Sequence, residues 1–194
     1  VFLPIISLPI FTRFISPEEY GVLAIILIYA IFMSGIANFG LTLIFERNYF
    51  KYSKNFKKLS QLLYSSLIFV FASFSLLYLT TYIFSKKISL FLVNSEIYGD
   101  LILIAFLSHF IIGVANVFYF TYYKNEGNAK AFSTYKVYLA IGNFVLSVYF
   151  IVYLGIGIYG IVISQLIVGL VLFIFLFKSF LKRHPFLFSK DILI

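Results

Sequence analysis

The chain has 194 residues, 62% of them hydrophobic and only 11% charged, with a mean hydropathy of +1.04 and a net charge of +8. A soluble domain is nearer half apolar and a quarter charged, so a single core in water cannot hide this much apolar surface, and lipid must be the solvent. Cysteine is absent, which excludes a disulfide framework and thiolate metal sites.

In chain order, the first apolar stretch covers residues 1–12. It makes about 18 Å of helix, too short to cross a bilayer. The chain opens on Val1, and Ile192-Leu193-Ile194 follows Asp191 as though another apolar segment were starting. Both ends read as truncations, so the sequence is expected to be a fragment with a partial first helix. No cleavable signal peptide is visible. Ser16-Pro17-Glu18-Glu19 has the form of a helix start, with Ser16 as N-cap, Pro17 at the first helical position and Glu19 closing a capping box.

Four stretches then carry no Asp, Glu, Lys or Arg: Tyr20–Phe45, Leu59–Ser85, Leu101–Tyr123 and Val137–Phe177, of 26, 27, 23 and 41 residues. A crossing takes about 20 residues, so the first three each span once and the fourth spans twice. Gly155 and Gly157 are the natural turn within that fourth stretch. Strict apolar/polar alternation is lacking, which argues against a transmembrane barrel. The expected fold is therefore all-α: a polytopic bundle of about six transmembrane helices in one transmembrane lobe. Its spans fall near 1–12 (partial), 21–45, 61–84, 99–123, 137–154 and 158–177.

Loop charge sets the orientation. Segments 46–58, 124–136 and 178–190 hold twelve Lys and Arg, whereas 13–19, 86–100 and 155–157 hold only Arg13, Lys86 and Lys87. The first set belongs in the cytoplasm by the positive-inside rule. The same lysines account for the basic charge as topology anchors facing anionic headgroups, so no nucleic-acid partner is expected.

Polar residues inside the spans fall on common helical faces at spacings of three, four and seven. They are Ser34, Asn38 and Thr42; Ser66, Ser73 and Thr80; His109, Gly113, Asn116 and Tyr123, with Tyr119 and Phe120 beside them; Lys136, Ala140, Asn143 and Ser147; and Ser164, Gln165 and Gly169. Such residues can be glue between helices. Five mildly polar faces that converge can equally line a hydrated cavity. His109 is the one ionisable group deep in a complete span, which makes it a candidate for proton coupling. The alternative is a neutral imidazole bonded to a neighbouring helix. His184, beside Arg183 and Pro185, is expected to be solvated in a cytoplasmic loop. Arg13 and Arg47 sit at span ends, where a guanidinium can fork onto phosphate oxygens or simply snorkel to headgroups.

Enzyme apparatus is missing. There is no Gly-rich phosphate loop with its Lys, no His/Asp/Glu cluster at metal spacing, and all seven carboxylates lie in or beside loops. No cofactor is expected.

Four ordered segments resemble polysaccharide (O-antigen, Wzx-type) flippases of the multidrug/oligosaccharidyl-lipid/polysaccharide exporter superfamily. They are Thr12-Arg13-Phe14-Ile15-Ser16-Pro17-Glu18-Glu19-Tyr20-Gly21, Glu46-Arg47-Asn48-Tyr49-Phe50-Lys51-Tyr52, Tyr123-Lys124-Asn125-Glu126-Gly127-Asn128-Ala129-Lys130 and Leu154-Gly155-Ile156-Gly157-Ile158-Tyr159-Gly160. Together they cover nearly the whole chain in order.

The resemblance implies the amino-terminal lobe of a two-lobe exporter in the plasma (inner) membrane, with the carboxy-terminal lobe missing from this sequence. It also implies a polyprenyl-diphosphate-linked oligosaccharide as substrate and H+ or Na+ as a coupling ion. On that reading Asn38, Asn116, Asn143 and Gln165 supply amides to the sugar, and Tyr119 and Tyr123 supply stacking surfaces. Arg13 and Arg47 meet the diphosphate, and His109 couples protons. The alternatives are another exporter of the superfamily (a lipid II flippase or a cation-coupled drug antiporter), an integral-membrane polymerase or acyltransferase, and a purely structural subunit.

Overall fold

A computed structural model of the protein describes residues 3–52 and 55–188. The apolar Ile192–Ile194, and Lys54 and Lys190 of the basic loops, lie outside the described residues. Everything regular among the described residues is helical: α1 Leu3–Phe11, α2 Pro17–Asn38, α3 Leu41–Tyr52, α4 Phe56–Val93, α5 Gly99–Val114, α6 Thr121–Asn125, α7 Ala129–Val148 and α8 Ile158–Arg183. Wider π-helical turns, Ala115–Phe120 and Tyr149–Tyr153, join α5 to α6 and extend α7.

Five of these rods are long and apolar enough to cross a membrane: Pro17–Asn38, Phe56–Val93, Glu96–Val114, Ala129–Tyr153 and Ile158–Lys182. The chain is a multi-pass membrane protein of the all-α class. The short α1, which contains Pro9, packs against α7.

Local chemistry explains the helix ends. Ser16 Oγ accepts from the Glu19 N–H at 3.2 Å, and the Glu19 carboxylate accepts from the Ser16 N–H at 3.0 Å, so the capping box closes as the sequence anticipates. Asn55 and Asn128 cap α4 and α7 through their side-chain oxygens, each 3.1 Å from the backbone N–H three residues on. Gly155 and Gly157, at φ 64° and 55°, make the turn into α8, a backbone region that glycine enters without steric cost.

Helix extents depart from the charge-free stretches in a consistent way. The 38 residues of α4 run well past 61–84, and Lys86 and Lys87, assigned to a loop by their charge, sit on its continuing helix. At ~1.5 Å per residue the rod is about 57 Å long, against a ~30 Å hydrocarbon core. Charge ends the lipid-buried part of a helix but not its hydrogen-bond ladder. For the same reason α7 starts at Ala129 and α8 runs on to Arg183. In contrast, the expected 21–45 span is broken: Phe39 and Gly40 take left-handed φ of 47° and 70° between α2 and α3.

The central rod is α5. It packs on α2, α4 and α8, while α7 packs chiefly on α8. Phe110 of α5 stacks on Phe74 of α4 with ring centroids 3.7 Å apart, and the Tyr29 hydroxyl meets Thr81 Oγ1 at 2.9 Å, joining α2 to α4.

The two loop sets separate to opposite ends. At one end Lys124 lies 3.6 Å from Glu46, and His184 reaches both α4 and α6. At the other, Gly157 lies beside Glu19, and the Tyr159 hydroxyl donates to the Ile97 carbonyl at 3.4 Å. The grouping inferred from lysine and arginine counts is therefore also a spatial one.

His184 corrects its expected solvation: it is 1% exposed. Its ring lies between Phe56 and Phe180, nearly parallel to both at 4.4 and 4.5 Å. Its Nδ1 is 3.2 Å from Ser60 Oγ and its Nε2 is 3.0 Å from the Tyr122 hydroxyl, while its carbonyl accepts from Tyr64 at 2.8 Å. Both ring nitrogens thus meet hydroxyls, and those hydroxyls donate in turn, Ser60 to the Phe56 carbonyl at 3.0 Å and Tyr122 to the Glu126 carboxylate at 3.4 Å. A histidine among basic and proline neighbours reads as a surface residue. Three helix ends meeting over it make it a core residue.

Candidate functional site

The polar faces of α2 and α5 meet beside α4 around a cavity of about 260 Å3. Ser34 and Asn38 of α2 face His109 of α5 and Asn116 of the π turn across it, with Val70 and Phe110 forming the apolar wall. Spacing produces this arrangement. Ser34 and Asn38 are one turn apart, as are His109 and Gly113, so each pair shares a face. Gly35 and Gly113 leave the space: a Cβ built on either meets nothing within 4 Å.

Two backbone irregularities border the cavity. The left-handed Phe39 follows Asn38 directly, a conformation costing a non-glycine residue about 1–2 kcal/mol. The π turn carries Asn116 and re-aims it relative to a regular helix. Such irregularities concentrate at functional sites because the surrounding fold must hold them in place.

The lining can hydrogen-bond. Ser34 Oγ donates to the Ala30 carbonyl at 2.6 Å, so only its lone pairs face the cavity. His109 Nε2 is buried without a hydrogen-bond partner. An unpartnered ring nitrogen at membrane depth is costly, which singles out His109 among the lining residues.

Behind the lining, the ammonium of Lys136 on α7 is hydrogen-bonded to the Asn116 amide oxygen. Sequence reasoning counted Lys136 with the loop lysines and left it off the list of binding candidates. Its spacing of seven from Asn143 does place it on the polar face of that span, but spacing alone does not name Asn116 as its partner.

The remaining candidates are elsewhere. Tyr119 of the π turn is fully buried, edge-on to Phe173 and Phe180 of α8, and its hydroxyl has no partner. Tyr123 packs on Tyr122 and Tyr135. Asn143 and Gln165 lie on the packed helices α7 and α8 with buried, unpartnered carbonyl oxygens. Arg13 and Arg47 are exposed beyond opposite ends of α2. Of nine candidate residues the cavity gathers Asn38, His109 and Asn116, and the sequence face containing Ser34 and Gly113 joins them. The Thr42 side chain lies outside the described residues.

The profile of a family described as polysaccharide biosynthesis protein matches residues 10–193. Neither a curated protein nor a solved structure matches the chain significantly.

Proposed function

The chain belongs to the polysaccharide biosynthesis protein family, and from that premise we propose that it moves a polyprenyl-diphosphate-linked oligosaccharide across the plasma membrane, outward from the cytoplasmic leaflet. The observation that carries this reading is the α2/α5 cavity, where amides, a hydroxyl and an imidazole converge at membrane depth.

A lipid-linked sugar keeps its tail in the bilayer, but its hydroxyls and phosphates lose water on the way across. Leaving one such polar group unpaired in an apolar medium costs several kcal/mol, roughly 4–8 by water-to-cyclohexane transfer. Asn38, Asn116 and His109 offer donors and acceptors in place of that water, and Lys136 adds a cation beside Asn116. The cavity volume of about 260 Å3 falls just below the ~300–1,000 Å3 of small-molecule sites, so it suits one sugar ring or the diphosphate rather than a whole repeat. A second lobe facing this wall would complete the passage and allow alternating access. In this scheme His109 carries the coupling proton, and H+ is favoured over Na+ because an imidazole binds protons, not sodium.

Complementation tests the reading. The full-length gene product is expressed in a flippase-deficient strain, with membrane insertion verified and several repeat types supplied. Surface polysaccharide should return with the wild-type protein, and Asn116→Leu should abolish it at equal protein level. Failure of the wild-type protein on every repeat would defeat the assignment. In vesicles, a pH gradient should drive export by the wild-type protein and not by His109→Gln. Equal response of the two would remove the proton from the scheme.

A further inference from the structure

A second hollow lies on the far side of the α4–α5 packing. Helices α4 and α8 each pack on α5, and between them runs a furrow of about 340 Å3 lined by Tyr64, Ile68 and Phe71 of α4, Phe173 and Phe177 of α8, and Phe186 beyond α8. Spacings of i, i+4 and i+7 on α4 and i, i+4 on α8 turn these side chains to one strip each. The lining is apolar in practice, because the Tyr64 hydroxyl is turned away to the His184 carbonyl. Only its ring contributes.

The buried His184 determines how the furrow ends. Its clamp fixes the chain leaving α8 against α4, and the Phe186 ring then lies 5.0 Å from that of Tyr64. That closes the furrow at its cytoplasmic end. Sideways it stays open, where Ile68 and Phe71 keep 42% and 38% of their surface exposed. Both walls are membrane-spanning helices, so this opening faces lipid chains.

We propose that the furrow holds the hydrocarbon chain of the polyprenyl phosphate lipid, an inference that rests on the function proposed above. Three features select this occupant over bulk acyl chains. The walls are ring faces, whose negative π surfaces favour the methyl and allylic C–H groups of a branched, unsaturated chain. Lys57 lies two turns toward the cytoplasm on the same face of α4 as Tyr64, with Lys58 beside it and Lys182 at the end of α8. All three are exposed at headgroup level, which suits phosphate. Finally, the furrow shares a wall with the polar cavity. Phe71 of the furrow meets Phe110 of the cavity edge-to-face at 5.2 Å.

These 194 residues contain no tryptophan; in a full-length background whose tryptophans outside them are replaced by phenylalanine, Phe177→Trp places a single fluorophore in the furrow and Phe175→Trp places one on the exposed face of α8 as a control. Each full-length variant is put in nanodiscs of brominated phosphatidylcholine, whose chains quench tryptophan. Polyprenyl monophosphate should displace them from the furrow and relieve quenching, saturably, at position 177 and not at 175. Phosphatidylglycerol at the same mole fraction should leave both quenched. Phe173→Trp serves if the first variant does not fold. No relief by polyprenyl monophosphate, or equal relief by phosphatidylglycerol, overturns the proposal. Restored surface polysaccharide without relief sinks the furrow and leaves the flippase standing. Relief without restored polysaccharide keeps the chain site and removes the transport reading it was built on.

Discussion

The two sides of α5 use the same small and polar residues to opposite ends. Toward α2, Gly113 and Gly35 face open space and His109 keeps an unpartnered nitrogen. Toward α8, a Cβ on Gly169 would stand 3.0 Å from Ile112 Cγ1; further along, one on Gly142 would stand 3.0 Å from Val168 Cγ1 and one on Gly160 2.9 Å from Phe150 Cβ. There the Ser147 and Ser164 hydroxyls meet at 2.5 Å across the α7–α8 interface. Glycine and serine are helix–helix glue on the closed side and a cavity lining on the open side. What distinguishes the two is the neighbouring helix, not the residue type.

That contrast can be broken from the closed side first. Replacing His184 by Ala removes two ring stacks, worth ~0.5–1.5 kcal/mol each, and the ring's two hydrogen bonds, worth ~0.5–1.5 kcal/mol each. We expect a loss of about 2–4 kcal/mol after partial compensation, read as a lowered unfolding temperature of the purified protein. An unchanged midpoint would show the clamp to be idle.

Gly160→Val forces a branched carbon against Phe150 Cβ and the Ile151 backbone, and overpacking of this kind costs about 1–3 kcal/mol. The matching change on the open side, Gly113→Leu, should leave the unfolding midpoint level or higher, because leucine is the better helix former by about 0.8 kcal/mol. It should nonetheless stop export by filling the cavity. If Gly113→Leu unfolds the protein as Gly160→Val does, the two sides are alike and the cavity is closed in the membrane.

Smaller effects sharpen the comparison. Ser147→Ala with Ser164→Ala should cost about 0.6 kcal/mol, the average for hydrogen bonds between membrane helices, with no effect on export. A double-mutant cycle would measure it. Least of all, Glu46→Gln breaks the half-exposed pair with Lys124, and exposed pairs contribute only ~0–1 kcal/mol.

Much of this was legible in the residues. Length and hydropathy marked the chain as multi-pass and helical, though not where each helix stops; Ser16 and Glu19 gave the start of α2, Gly155 and Gly157 the last turn, and the lysines the two ends of the bundle. The resemblance carried by the loop segments agrees with the family match over residues 10–193. The site was legible as faces, not as a place. Asn38, His109 and Asn116 came together, whereas Asn143 and Gln165 lie on another pair of helices and Tyr119 and Tyr123 turned into the core. Periodicity states which residues share a side of their own helix. It is silent on which helix that side meets.

By itself the sequence determined the solvent, the class and the grouping of the loops, because each follows from summed hydrophobicity or charge along a single segment. The tertiary structure decided the burial of His184, the pairing of Lys136 with Asn116 and the division between open and closed faces of α5. Each of those depends on contacts between residues far apart in the chain, such as the 124 positions separating Ser60 from His184. No local pattern encodes them.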